Sequence, residues 1–541
     1  MAFASSVAIF LGSFLLFLMQ PVIGKMILPW FGGTSAVWTT CMLFFQVLLL
    51  AGYAYAALLT RIVNPVRQAT IHIALLAAAL MLLPITPNAA WKPPDGENPA
   101  MRILLLLTVT VGFPYFLLSA TSPIVQAWFS RAYPGRSPYR LYALSNVGSL
   151  GALLVYPFVV EPWLTTTQQG VFWSISFVVF VVGCGVLGWQ LWQMRTTLMQ
   201  TELSPAIQVA AEKRTRKRMD ILSAEPSRYD RWLWLWLSAL ASMMLLSVTN
   251  HLCQDVAVVP FLWIVPLALY LLSLIICFDR DWWYSRRWFS LSAMIAILVA
   301  SDLAFLAFLD NMRETSGSGQ LWRILRYDIR VVIGVYLTLF FLVCMVCHGE
   351  VVRRRPTAER LTEFYLTVAA GGALGGIIIA VVCPLVFTSF VELKVGLLAS
   401  FIVCLCVFLT DLNQRGLSSP KPVKPKKTNS KSENMLTRVL FGGISILMVA
   451  AVAGAQWVSL DQGGAKITAR NFYGSLKVRE WFDDDPEHYG QAMYHGAILH
   501  GYQYLNADKE RLPTTYYSEK SGVGRAMSAL RTSQPLKVGV V

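Results

Sequence analysis

Arg140 to Leu164 reads RLYALSNVGSLGALLVYPFVVEPWL. It is long and apolar enough for one membrane-spanning helix. Ser145, Gly148, Ser149, Gly151 and Ala152 line one side of it with small residues. Glu363 to Thr388, EFYLTVAAGGALGGIIIAVVCPLVFT, repeats the arrangement 224 positions on: Gly148 and Gly151 fall on Gly372 and Gly375. An aromatic precedes each glycine patch (Tyr142; Phe364 and Tyr365), and a proline follows (Pro157; Pro384). The helices before them also align, with Gln126 on Glu350. Lipid tails give helices no hydrophobic reason to associate, so close backbone approach through small residues must hold them together. An internal duplication is therefore expected, with these two helices at the centre of the bundle.

The chain has 541 residues, 56% hydrophobic and 14% charged. Apolar runs of about 20 residues recur, the length that crosses a ~30 Å hydrocarbon core. A wholly soluble chain is excluded by this pattern. The expected spans are 4–24, 36–60, 70–87, 102–124, 140–164, 169–192, 232–252, 258–278, 288–309, 329–348, 364–388, 393–411 and 438–457. The fold class is mainly α: a polytopic membrane bundle of about 13 spans, two six-helix repeats plus one. The first span runs straight into others and lacks a small-residue cleavage site, so it reads as a helix and not as a removable signal peptide.

The net charge of +15 sits mostly in loops. Arg131, Arg136, Arg140, the run from Lys213 to Arg218, Arg280, Arg286, Arg287, Arg353 to Arg355 and the lysines from Lys421 to Lys431 all fall on one side of the expected spans. This positive-inside pattern makes the N-terminus cytoplasmic and argues against nucleic acid as a partner. With thirteen spans, whatever follows the last one lies outside the cytoplasm. The segments are 1–192 (first membrane half), 193–230 (basic loop), 231–411 (second half), 412–436 (Lys/Pro-rich linker), 437–457 (thirteenth span) and 458–541 (a polar C-terminal piece).

Polar groups within or beside spans include Gln20, Gln46, Asn146, Glu161, Asn250, His251, Gln254, Asp255, Asp302, His348 and Glu350. Such groups usually face the bundle interior or a water-filled path. The densest cluster is Asn250-His-Leu-Cys-Gln-Asp255; with Asp302, His348 and Glu350 it forms the candidate membrane polar site. Each alone also suits hydrogen-bonded glue between helices. Cys344-Met-Val-Cys347-His348 spells the haem-attachment pattern. It lies at a cytoplasmic span end, where attachment chemistry does not reach, and neither haem nor another metal is expected. All nine cysteines fall in or beside spans, so no disulfide framework is expected.

In the C-terminal piece, Ile467 to Trp481 reads as strand, turn at Gly474, strand. His488 to Gln503 follows, HYGQAMYHGAILHGYQ, and the plainest reading of His495 and His500 is a polar helix face packed on that hairpin. Gly522 to Leu530 suits a short helix, and Leu536 to Val541 an apolar strand.

ARNFYGSLKV, MYHGAILHGYQ, PTTYYSEKSGVGRAM and PLKVGVV resemble the N-terminal part of the spermidine synthase (polyamine aminopropyltransferase) domain. SATSPIVQAWF, YRLYALSNVGSLGALL, NHLCQDVAVVPFLW and CHGEVVRRRP resemble multi-pass bacterial proteins described as fused transporter-like/spermidine synthase proteins. The resemblance implies a bacterial inner-membrane protein, capable of forming a homo-oligomer, whose bundle is followed by the start of an α/β Rossmann-like domain. It implies aminopropyl transfer from decarboxylated S-adenosylmethionine, or chemistry on S-adenosylmethionine, to a small amine or polyamine. Tyr494 and His500 match the synthase's pocket Tyr and His; His495 stands for its Gln, and Gly496 replaces its Glu. With Tyr473 these are the candidate substrate-binding residues, and the catalytic Asp and cofactor loop would lie beyond Val541. The alternative is a small-molecule or polyamine transporter, or a membrane scaffold, with a non-catalytic synthase-like domain.

Overall fold

The computed structural model describes residues 1–93, 98–133, 139–193, 226–255, 260–311, 328–357, 360–418, 449–450, 452–454, 465–482, 484–496 and 498–530. Two expected elements, the thirteenth span and the strand at 536–541, lie outside the described residues, apart from a few positions near 449–454.

The helices run α1 (Ala2–Phe31), α2 (Ser35–Ile62), α3 (Pro65–Ala79), α4 (Pro99–Leu107), α5 (Phe113–Ala132), α6 (Tyr139–Val155), α7 (Glu161–Trp163) and α8 (Thr166–Gln193). They continue as α9 (Arg228–Asp255), α10 (Pro260–Asp279), α11 (Arg286–Asn311), α12 (Ile329–Arg353), α13 (Leu361–Ile377), α14 (Cys383–Val386) and α15 (Glu392–Ser418). Short π-helical segments join α4 to α5, α6 to α7 (Tyr156–Val160) and α13 to α14 (Ile378–Val382). Among the described residues, eleven helical stretches are long and apolar enough to cross a membrane. The chain is an integral multi-pass membrane protein. Apolar side chains such as Phe158, Val159, Ile175, Val182 and Leu385 stand exposed along the outside, where lipid would cover them. Trp189, Trp192, Trp232, Trp282 and Trp283 are exposed near helix ends, as in an interfacial aromatic belt.

Helix packing repeats along the chain. α1 packs on α6 as α9 packs on α13; α2 on α5 as α10 on α12; α3 on α8 as α11 on α15. Between the halves, α6 meets α10 and α13 meets α2. The glycines explain the closest contacts. A Cβ on Gly148 would sit 2.6 Å from the Phe10 carbonyl oxygen on α1. On Gly371 it would sit 2.3 Å from that of Leu235, and on Gly375 2.5 Å from that of Ala239, both on α9. Backbones this close leave no room for a side chain. A Cβ on Gly372, the residue sequence alignment sets against Gly148, would meet nothing within 4 Å. The structural counterpart of Gly148 is Gly371, one position earlier.

After the bundle comes a four-stranded antiparallel meander in the order β1-β2-β3-β4: β1 (Ala465–Asn471), β2 (Gly474–Trp481), β3 (Gly490–His495) and β4 (Ile498–Tyr504). The first hairpin is as expected. The stretch carrying His495 and His500 is a second hairpin rather than a helix. Gly496, with φ of 61°, sits at its turn, and Gly490 and Gly501 disfavour a helix interior. A short helix, α16 (Gly522–Ala529), follows, capped by Ser521 accepting from Gly524 N–H.

Candidate functional site: a neutral cavity between the two halves

A cavity of about 130 Å³ lies between the two halves. α1 contributes Ser13, Phe17 and Gln20; α2 contributes Phe45, Gln46 and Tyr53; α5 contributes Tyr115, Ser119 and Ser122. α6 adds Tyr142, Ser145, Asn146 and Ser149, while α9, α10 and α13 close the other side, with Tyr270 the main polar group there. The small-residue face that packs α6 on α1 also supplies Ser145 and Ser149 to the cavity. On α13 the open position Gly372 lines it.

Hydrogen bonds tie this lining together. The Ser13 and Ser145 hydroxyls are 2.6 Å apart, and Gln126 Nε2 donates to Ser122 Oγ at 3.0 Å. Gln20 Nε2 donates to Tyr115 Oη at 3.2 Å, and Gln46 Nε2 reaches across to Ser242 Oγ at 2.9 Å. Among the described residues, no Asp, Glu, Lys, Arg or His lines the cavity.

A stacked aromatic pair stands at each end of the cavity. Tyr142 of α6 and Tyr365 of α13 stack across the interface with centroids 4.5 Å apart and planes 15° apart. Tyr139 beside them donates to the Pro356 carbonyl and lies under Arg355. At the other end, one helical turn past Met42 and Leu267 of the lining, Trp38 of α2 stacks on Trp263 of α10, 5.2 Å apart and 13° from parallel. Thr39 Oγ1 donates to Asn250 Oδ1 at 2.8 Å at that same end. Each pair joins corresponding helices of the two halves.

The structure divides the sequence's membrane polar cluster between the ends. Asn250, His251 and Gln254 lie at the Trp38–Trp263 end, with the His251 ring edge-on to Tyr336, centroids 4.5 Å apart. Glu350 lies at the other, in a buried bidentate pair with Arg286 (2.7 and 2.5 Å) that also accepts from Tyr284 at 3.1 Å. Burial first, and then the Glu350 carboxylate, hold the Tyr284 phenol well above its ordinary value. His348 sits between α12 and α10, its Nδ1 2.8 Å from Ser273 Oγ and its ring edge-on to Tyr270. Cys344 and Cys347 are buried in the same helix. The side chains of Asp255 and Asp302 lie outside the described residues.

The sheet docks on the Trp38–Trp263 end and touches both halves. Arg470 forms a buried bidentate pair with Glu392 (2.8 and 3.1 Å), donates to the Ser389 carbonyl and lies over the Phe390 ring. The Tyr473 ring packs at Gly32 between α1 and α2, and the Gly496 turn meets the Gln254 backbone at the end of α9. Of the synthase-like residues, His495 and His500 are brought together, rings 5.7 Å apart, with Tyr516 Oη 2.9 Å from His500 Nδ1. Tyr494 faces the opposite side of β3, under Arg479. Tyr473 is at the docking turn and joins neither.

Sequence reasoning missed Ser13, Tyr53, Tyr115 and Tyr270 because a hydroxyl in an apolar run does not stand out as a charge does. It also missed the Trp38–Trp263 pair, which aligning the two halves two further helices upstream would have found.

No family model and no curated protein matches the chain. Among solved structures it is similar to the major facilitator superfamily proton:xylose symporter XylE bound to 6-bromo-6-deoxy-D-glucose, with a TM-score of 0.45 and 12% identity over 75% of this chain and 94% of that one. It is also similar to the inward open conformation of the xylose transporter XylE from E. coli, with a TM-score of 0.43 and 12% identity over 80% of this chain and all of that one (100%). At these values nothing about substrate or coupling carries over.

Proposed function

We propose that the protein moves a small molecule across the membrane through the cavity between its halves. The observation that carries this reading is the polar-lined cavity bracketed by two stacked aromatic pairs, Tyr142–Tyr365 and Trp38–Trp263, each spanning the interface. Rocking two internally rigid halves would separate either pair while keeping the other, exposing the cavity to one side at a time. The repeated packing and the glycine contacts, which keep α6 on α1 and α13 on α9, fit an internal duplication and make each half a rigid unit.

The arginines Arg280, Arg287 and Arg353 to Arg355 cluster at the Tyr142–Tyr365 end. By the positive-inside rule that end is cytoplasmic, which puts the docked sheet outside the cytoplasm. The test is flux of labelled small solutes into proteoliposomes holding the full chain, with and without a Tyr142→Ala, Tyr365→Ala pair. Saturable flux that the pair alters supports transport; no flux of any solute class over protein-free vesicles rejects it.

A second reading belongs to the sheet. His495, His500 and Tyr516 would form the amine-side wall of an aminopropyltransferase site in the longer Rossmann-like domain that the sequence resemblance implies. Among the described residues, the contacts gathered at this wall are two imidazoles and a phenol, which supply no cradle for an S-adenosylmethionine-type cofactor by themselves. Calorimetry with a polyamine on the parent and on His500→Ala tests this reading: heat that the substitution abolishes supports it, and heat absent or unchanged removes it.

A further inference from the structure

We infer that the cavity selects an uncharged molecule bearing at least two hydrogen-bond donors and one apolar face, with Gln20 and Gln46 as its specificity residues. The inference rests on the transport reading and adds the chemistry of the cargo.

Gln20 is 2% exposed, and Gln46 is half-buried. Both line the cavity, one on each of two neighbouring helices. Each commits its amide nitrogen to a fixed neighbour, Tyr115 or Ser242, which sets its side-chain orientation. Each leaves its amide oxygen buried and without a hydrogen-bond partner. Buried acceptors are nearly always satisfied, so the unpaired Gln20 oxygen marks where a ligand's N–H or O–H group would bind, while the Gln46 oxygen rests against Gly376 of α13 and meets a ligand donor only by turning away from that helix. The serine chain Ser13–Ser145–Ser122 adds hydroxyls that can donate or accept. Phe17, Phe45, Leu271 and the faces of Tyr53 and Tyr270 provide an apolar wall for a ring or hydrocarbon edge.

Charge decides the class. A polyamine would lose its hydration in a cavity whose lining holds no carboxylate, and an organic acid would meet no cation. The buried carboxylate nearest in character, Glu350, is already neutralised by Arg286 at the cytoplasmic-side end. Neutral polyols, sugars, nucleosides and amides match the donor and apolar requirements; spermidine and citrate do not.

The experiment measures binding and flux separately, on the purified full chain. Binding is read as thermal stabilisation with a polyol, a hexose, a nucleoside, a primary amide, spermidine and citrate in turn. Flux is read in proteoliposomes with the same six compounds. The expected result is stabilisation and saturable uptake by one or more of the neutral set, with spermidine and citrate inactive. Gln46→Met and Gln20→Leu should each weaken that binding by about 10-fold, the loss of one ligand hydrogen bond. The near-isosteric Gln46→Glu, which keeps the shape, should weaken the neutral ligand and admit a cation. Binding and uptake of spermidine by the unaltered protein would overturn the substrate class while leaving transport standing. Neutral-ligand binding without flux would support the class and reject transport. Binding unchanged in all three variants, each melting like the parent, would overturn the assignment of the two glutamines.

Discussion

In the first half the third and fourth spans are joined by neutral hydrogen bonds: Trp128 Nε1 donates to Gln68 Oε1 at 2.8 Å, and His72 Nε2 lies 2.9 Å from Thr121 Oγ1. The corresponding helices of the second half, α11 and α12, are joined by the Arg286–Glu350 ion pair, whose side chains are each 4% exposed. The backbone packing repeats, but the polar chemistry at this contact does not. Packing is set by which positions are small enough to let helices touch, and that pattern recurs in both halves. What bridges them afterwards is free to differ, so long as every buried group is satisfied.

The sharpest way to break this comparison is to truncate one partner on each side. Glu350→Ala strands a buried guanidinium and should cost about 3–5 kcal/mol. Gln68→Ala should cost only about 1–3 kcal/mol, the penalty for an unpaired neutral donor. Melting of the purified protein followed by tryptophan fluorescence reads both; equal losses would erase the distinction between the halves. Replacing both Arg286 and Glu350 by Met should recover most of the loss, because a buried ion pair contributes little net stability over a packed apolar pair.

The glycine contacts test what the halves share. Gly148→Leu and Gly371→Leu should each destabilise by about 1–3 kcal/mol through overpacking against the first helix of their half. Gly372→Ala should be nearly silent in melting, since its Cβ would enter open space. A silent Gly371→Leu would mean that the sequence alignment had identified the contact correctly and the structural register had not.

A smaller effect is expected where the sheet meets the bundle. Glu392→Gln keeps the shape at Arg470 but removes its counter-charge, and limited proteolysis of the sheet should speed up by about 10-fold, the loss of one charge-assisted hydrogen bond. Unchanged cleavage would show that Tyr473 and the Gly496 turn hold the sheet alone. Smallest of all is the exposed Lys466–Glu480 pair on the sheet, 2.5 Å apart. The hydrogen bond from Lys466 holds the Glu480 carboxyl below its ordinary value. Its folded-state pKa is therefore the lower one, so its contribution is present above the unfolded carboxylate range and is lost as pH falls through the folded value. Proteolysis of the sheet from pH 7 to 3 should show a slight, salt-screened increase at the acid end in the parent and none in Glu480→Gln.

Much of the bundle was legible because spans are written in apolar length, and the glycine patches at 148–151 and 371–376 marked its centre. The register of those patches was legible only to within one residue, since the offset that matches both glycine pairs, Gly148 on Gly372 and Gly151 on Gly375, is one longer than the offset the helix contacts follow. The cavity was half-legible. Gln20, Gln46 and Asn146 stood out as amides in apolar runs, but Tyr115 and Tyr270 did not. The Arg286–Glu350 pair joins residues 64 positions apart on helices whose facing sides only packing decides. In the C-terminal piece, sequence reasoning found the first hairpin but gave helical character to the second, because a five-residue spacing puts His495 and His500 on one face of neither a helix nor a single strand, and only the turn at Gly496 brings them together.

The most direct test of transport through the cavity is side-specific access to it. A single cysteine at Ser149, in a protein whose nine native cysteines are replaced, would be labelled with a membrane-impermeant maleimide from each face of oriented membrane vesicles. Alternating exposure predicts labelling from both faces, with Tyr142→Ala raising access from the arginine-rich face and Trp38→Ala raising it from the sheet face. Labelling from one face alone, unmoved by either substitution, would contradict it.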